Sequence, residues 1–272
     1  MRRLPATAKL NLAIVVGPVR PDGKHEVVTV LQRIDLADRV SLEPAAELRV
    51  TGFSGDTLVA RALQTLADAA GAEPLWSVRI DKHIPVAAGL AGGSSDAATA
   101  LRLANETLER PLAREALQAL AASLGADVPF FLTTGPQLGR GDGAELASLR
   151  LPQDYWVVLL LPHVETKAST AAVYAAFDAR RGEEGFDERS AALLACLERV
   201  REAGDLASLP LNDLASSPLA AELTRLGAVR ADVSGAGPAL YGLFAEEGVA
   251  RAAGVRLRRF GRTWISVPTW YG

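Results

Sequence analysis

Cysteine is nearly absent from this chain of 272 residues: Cys196 is the only one, which excludes an intrachain disulfide and a cysteine-rich metal site. It lies in the apolar run 191–197, where a buried small hydrophobe is the natural reading. Histidine is scarce too. His25, His83 and His163 are the whole set, and no two stand at the helical spacing of zinc ligands, which argues against a zinc enzyme. No charge of one sign dominates. With 29 Lys and Arg against 32 Asp and Glu, the net charge of −3 lacks the basic excess that a nucleic-acid partner requires. No apolar segment approaches the roughly 20 residues that span a bilayer, and Lys9 and Asn11 break the stretch that a secretory signal would keep apolar. A cytoplasmic protein is expected, with no membrane and no nucleic acid as partner. Its 49% hydrophobic and 22% charged residues suit a packed core rather than disorder.

What is present is a run of alternations and glycine clusters. Residues 8–16 alternate, with Ala8, Leu10, Leu12, Ile14 and Val16 on one side and Lys9, Asn11 and Ala13 on the other. A strand follows from that period, with Lys9 and Asn11 about 7 Å apart on one face. Further strands are predicted over 27–34, 76–80, 156–161, 229–234, 239–244 and 263–267, and a hairpin within 137–149. Asp56 reads as the N-cap of a helix over 57–70 closed by Gly71. Other helices are predicted over 96–105, 112–124, 169–177, 188–203, 219–226 and 249–259, and 180–185 as a mobile surface loop. The pattern changes near residue 150. This predicts an α+β chain of two lobes, 1–150 and 151–272.

The densest chemical signal is Pro85-Val86-Ala87-Ala88-Gly89-Leu90-Ala91-Gly92-Gly93-Ser94-Ser95, between a predicted strand and a predicted helix. Glycines let successive N–H groups face one point without a Cβ in the way, and a helix N-terminus adds unpaired amides and a positive dipole end. Such a loop can hold phosphate; it can equally be a tight turn packing strand on helix, and the residues alone leave both open. Ser94 or Ser95 can cap the helix, donate to a phosphate, or help hold Mg²⁺, and Asp96 fits a first-turn acid beside the helix dipole. The Walker and Rossmann patterns are absent, since Gly23-Lys24 is followed by His25 and the loop glycines have the wrong spacing.

Pro85 to Ala98 resembles the ATP-binding motif of the GHMP kinase superfamily, Ser234-Gly235-Ala236-Gly237-Pro238 resembles that family's C-terminal glycine loop, and the run from Pro5 to Leu12 resembles its first motif. The resemblance implies the two-lobed fold of that family with the active site in the cleft between lobes, ATP and Mg²⁺ as cofactors, and phosphoryl transfer to an alcohol. The stretch from Arg20 to Glu26 and the stretch from Gly125 to Phe131 are similar to one branch. Its acceptor is a cytidyl diphosphate alcohol of non-mevalonate isoprenoid precursor synthesis, phosphorylated on the 2-hydroxyl.

By that resemblance Asp127 is the catalytic base and Lys9 its paired cation, although an N-cap role for Asp127 is a local alternative. Asn11 and His25 match substrate-binding positions, His25 toward the cytosine. Lys24 stands where relatives commonly carry an aromatic stacked on the base. Tyr174 resembles the aromatic on the base's other side, or is a core residue of its helix. The cluster Arg256, Arg258, Arg259 and Arg262 reads as a solvated helix face. Other expectations are a homoserine or sugar acceptor on the same fold, or an inactive binding protein, acting as a monomer or weak homodimer.

Overall fold

A computed structural model describes residues 1–53, 57–163 and 169–269, so the predicted Asp56 cap lies outside the described residues. Two long antiparallel strands, β1 (Arg2–Val19) and β2 (His25–Pro44), form the spine. β1 is buried on both faces from Ala6 to Gly17, which explains why its apolar residues outrun a simple alternation. The alternation is also interrupted. Asn11 pairs with Leu31 but Ala13 with Val30, leaving Leu12 as the extra residue of a β-bulge. Beyond it the faces exchange: Ala13 and Val15 join Ala8, Leu10 and Leu12 in one core cluster, whereas Ile14 and Val16 pack with Val27, Phe177 and Leu214. The expected grouping of Ile14 and Val16 with Leu12 is therefore wrong, because one inserted residue reverses a period of two.

β3 (Arg49–Thr51), β4 (Trp76–Asp81), β5 (Gln137–Arg140) and β6 (Glu145–Ser148) complete the first sheet in the order β3-β4-β2-β5-β6, with β1 on β2. The predicted hairpin is β5 and β6. Helices α1 (Leu58–Ala70), α2 (Gly92–Asn105) and α3 (Arg114–Leu124) cover this sheet through Leu63, Leu66, Leu101 and Leu120, joined by Phe130 from the turn after α3. Gly71 closes α1 in the left-handed region, as its position predicts.

A second sheet, antiparallel throughout, has the order β10-β7-β9-β8, with β7 (Trp156–Pro162), β8 (Arg230–Val233), β9 (Leu240–Phe244) and β10 (Gly261–Ser266). Its outer face packs on α6 (Leu219–Arg225) and α7 (Glu247–Leu257) through Leu223, Ala250 and Leu257. The apolar cluster between the sheets joins Leu10, Leu12 and Val30 to Val157, Tyr241 and Leu243. α4 (Thr170–Ala179) and α5 (Phe186–Leu197) precede β8. α5 stops six residues short of the expected 203, and Ala203–Ser208 forms a separate 3-10 turn with a Glu202/Asp205 capping box. The segment 180–185 is a set of hydrogen-bonded turns: Gly182 N–H donates to Phe177 O, and Arg189 donates to the carbonyls of Gly182 and Glu184. Among the described residues no helix is long and apolar enough to cross a membrane.

Candidate active site

A cleft of about 450 Å³ draws its walls from both sheets: Lys9 and Asn11 from β1, Thr29 from β2, the loop at 85–94, Ala126–Asp127, and the loop at Gly235–Gly237. The loop turns through three left-handed residues, Ala87 (φ 61°), Gly89 (φ 84°) and Ala91 (φ 54°). It is pinned on two sides. Lys9 N–H donates to Leu90 O at 3.1 Å, and Ala239 N–H donates to Ala88 O at 3.0 Å. Ser234 Oγ donates to Gly89 O at 3.0 Å, so the second glycine loop lies directly on the first.

α2 begins at Gly92 with Ala91 as its flanking residue, four residues before the predicted start. Glycine is a poor helix former, which hid this start in the sequence; the buried stripe from Ser95 to Ala104 compensates by packing. Neither serine caps the helix. Ser94 lines the cleft within the first turn, while Ser95 is buried. Asp96 lies beyond the first turn and is fully buried, so it is no dipole acid. Instead Lys82 bridges it at 2.7 Å to Asp38 at 2.5 Å, and Asp38 accepts from the N–H groups of His83 and Ile84. Burial opposes the Lys82 charge, but the two carboxylates outweigh it and raise its pKa above the ordinary value.

Lys82 also borders a second hollow of about 250 Å³, with Phe53, Thr57, Leu58 and Val86, on the outer side of the loop. Apart from the loop itself, no periodicity or spacing marked it, since Phe53, Thr57, Leu58 and Lys82 come from separate segments of low sequence signal.

Lys9 and Asp127 meet. The ammonium lies 3.8 Å from the carboxylate, with the lysine side chain 5% and the aspartate 41% exposed. Asp127 sits between α3 and the 3-10 turn Pro129–Leu132, whose flanking residue is Val128. The alternative of an Asp127 cap is corrected: Val128 occupies that position without a side-chain cap. This segment is held against β2 by Arg33, whose guanidinium donates to Phe130 O at 2.8 Å and Thr133 O at 2.6 Å and lies over the Phe130 ring. Burial, and then the charge of Arg102, lowers the proton affinity of Arg33. Lys9 further donates to Asn11 Oδ1 at 2.5 Å.

Tyr174 lines the same cleft, and its phenol is pushed up to about 12 by burial and by the charge of Asp127. The His25 ring stacks on Tyr174 at 4.7 Å between centroids and contacts Asp178 through Nε2 at 2.7 Å. Lys24 forms an ion pair with Asp142, which lines the cleft. Burial opposes the Asp142 charge, but the Lys24 ammonium and the Ala144 N–H hold its carboxyl below the usual carboxylate range. Lys24 and His25 are therefore each one side chain back from the cleft wall. Arg256 belongs to α7, Arg258 and Arg259 follow its end, and Arg262 lies on β10; Arg259 is paired with Glu222. Sequence reasoning missed Thr29, Arg33, Lys82 and Asp142; only Arg33 carried a signal, as a cation within a strand run.

Residues 57–135 match the profile of the GHMP kinases N terminal domain. The Gloeobacter violaceus protein named 4-diphosphocytidyl-2-C-methyl-D-erythritol kinase is 36% identical over 267 residues, covering 92% of this chain and 88% of its own length. A crystal structure of 4-(cytidine 5'-diphospho)-2C-methyl-D-erythritol kinase superposes with a TM-score of 0.79 at 32% identity, over 98% of this chain and 99% of that one. A mevalonate kinase structure shares the fold at 12% identity, with a TM-score of 0.77 over 99% of each chain. Likeness of this extent, over nearly the whole chain, makes the chain a member of the 4-diphosphocytidyl-2-C-methyl-D-erythritol kinase family within the GHMP kinases.

Proposed function

We propose that this chain transfers the γ-phosphoryl group of ATP to the 2-hydroxyl of 4-diphosphocytidyl-2-C-methyl-D-erythritol. The observation that carries the reading is the Lys9–Asp127 pair at 3.8 Å, in one cleft with the glycine-rich loop at the N-terminus of α2. Loop amides and the helix dipole favour the phosphates there, and the adjoining hollow at Phe53 and Lys82 offers room for the nucleoside end. Asp127 takes the hydroxyl proton as the phosphoryl group arrives, and Lys9 offsets the negative charge that develops. Ser234, Gly235, Ala236 and Gly237 close the cleft over the loop.

Tyr174 supplies an aromatic face for the cytosine, with His25 behind it. Lys24 cannot stack as an aromatic would, and its pairing with Asp142 gives it the alternative task of shaping the cleft rim. Residues 1–150 and 151–272 act in this reading as two lobes sharing the cleft, inside a cytoplasmic enzyme.

Mg²⁺ takes oxygen ligands and is commonly held by substrate phosphates plus one or two protein groups. The donor set here fits that pattern, since Ser94 offers an oxygen ligand among the residues that line the cleft while Ser95 is buried. Ser94 is the residue that would hold the ion, which supplies charge neutralisation to the phosphates.

A coupled ADP-release assay over an acceptor panel tests the reading. Stimulation by the cytidyl substrate, but not by homoserine or sugars, is expected, and Asp127→Ala abolishes it while the protein stays folded and binds nucleotide. Substantial turnover by that variant would remove Asp127 from the chemistry.

A further inference from the structure

Thr29 is 3% exposed, lies on the cleft wall, and is absorbed by neither the phosphate site nor the acceptor site described above. Its hydroxyl is the middle of a one-way chain of donors. A lysine ammonium can only donate, so Asn11 must present Oδ1 to Lys9, at 2.5 Å. The amide nitrogen then points away and donates to Thr29 Oγ1 at 2.8 Å. Thr29 in turn donates to Ala13 O at 2.8 Å. Because the hydroxyl hydrogen is engaged by that carbonyl, the oxygen facing Asn11 can only accept. The carboxamide is thereby denied its flipped orientation, which would aim an NH₂ group at the ammonium.

The backbone builds this arrangement. The bulge at Leu12 breaks the β1–β2 ladder next to Ala13 and sets Ile14 opposite Thr29. On the other edge Thr29 pairs with Gly139, where even a Cβ would lie 3.1 Å from the threonine methyl. The methyl therefore fits on the glycine side.

We propose that Thr29 is a positioning residue: it orients the Asn11 carboxamide, which aims Lys9 at Asp127. The inference rests on the phosphoryl-transfer reading of that pair. Lys9 is otherwise a long side chain whose other ammonium partner among the described residues, Asp127, is at ion-pair rather than hydrogen-bond distance. Without the relay its ammonium has no fixed address. Hydrogen bonds in such a chain also polarise one another, which strengthens the hold on the cation.

The test is Thr29→Val, nearly isosteric but without the hydroxyl, against Thr29→Ser, which keeps it. For the Val variant kcat should fall by about 10- to 100-fold, the cost of a misplacement of around an ångström. KM for ATP and for the acceptor should each stay within about threefold, and Thr29→Ser should return kcat to within about threefold of wild type. A merely structural role would move the melting temperature and leave kcat of the folded variants alike. If Thr29→Val does not fold, Thr29→Ala removes the same hydroxyl without bulk.

A Val or Ala variant that retains kcat within about twofold, or a Ser variant no better than Val, overturns the proposal. The comparison uses whichever acceptor the wild type turns over. Indifference of the wild type to the cytidyl substrate thus rejects the proposed acceptor, while the Val-to-Ser contrast still decides the role of Thr29. Should no acceptor be turned over, a crystal structure of the Val variant decides: displacement of Lys9 from its place beside Asp127 supports the relay, and an unmoved ammonium overturns it.

Discussion

A methyl group on Gly89 would sit 2.1 Å from the Ser234 carbonyl oxygen, and the residue already holds φ at 84°. Neither obstacle can yield cheaply, because the oxygen is backbone and the left-handed region alone costs a non-glycine residue about 1–2 kcal/mol. Gly89→Ala is expected to lower unfolding stability by about 2 kcal/mol or more, read from the denaturant midpoint. Gly93 gives the opposite result from the same chemistry. Nothing lies within 4 Å of its Cβ position, and it is helical, so Gly93→Ala should leave stability unchanged or raise it by up to about 1 kcal/mol. Yet Gly93 lines the cleft, and the added methyl obstructs the approach of a phosphate. Weaker nucleotide binding at undiminished stability is the expected outcome, and calorimetric titration checks it. If Gly93→Ala binds ATP as tightly as wild type, the loop does not cradle the phosphates at that point.

At the scale of elements, α2 and its support explain what the sequence disclosed and what it did not. The loop, its helix and the second glycine loop were legible through their resemblance to the GHMP kinase motifs, since the glycines alone fit a tight turn as well as a phosphate cradle. The start of α2 was not, since Gly92 and Gly93 have low helix propensity and only tertiary burial makes them helical. The bulge at Leu12 left no local mark either: apolar residues on both faces of a doubly buried strand conceal a reversal of parity. The charged triad behind the helix was equally hidden, because Asp38, Lys82 and Asp96 come from β2, the end of β4 and α2. Both carboxylates are buried, so Lys82→Met would leave two of them facing each other without a cation. A loss of about 3–5 kcal/mol is expected at neutral pH. The pH dependence has a definite sign. The Lys82 pKa is raised in the folded state above the ordinary 10.5, so its stabilisation is complete below that pH and is lost as pH rises through the folded value. The difference in stability between wild type and Lys82→Met should therefore be constant from neutral to about pH 10 and shrink beyond it; a difference that grows with pH would contradict the triad.

For the whole molecule the decisive feature is that the cleft and the central core have the same two owners. Leu10, Leu12 and Val30 of the first sheet share a buried cluster with Val157, Tyr241 and Leu243 of the second. The chain end returns to the spine as well, where Thr269 N–H donates to Arg33 O and Val267 O accepts from Asp35 N–H. Unfolding either sheet alone would expose that shared cluster, so the described residues should melt in one cooperative transition rather than two. Nucleotide bound between the glycine loops, as proposed above, would stabilise both sheets at once through the Ser234–Gly89 and Ala239–Ala88 contacts. At about one hundred times its dissociation constant a ligand contributes about 2.7 kcal/mol, which for a chain of this size raises the melting temperature by about 5 °C. Scanning calorimetry with and without a non-hydrolysable ATP analogue measures both quantities. A single peak that moves as a whole is the expected result. A second peak unmoved by nucleotide would mean that the second sheet folds by itself and that its glycine loop only rests against the phosphate site.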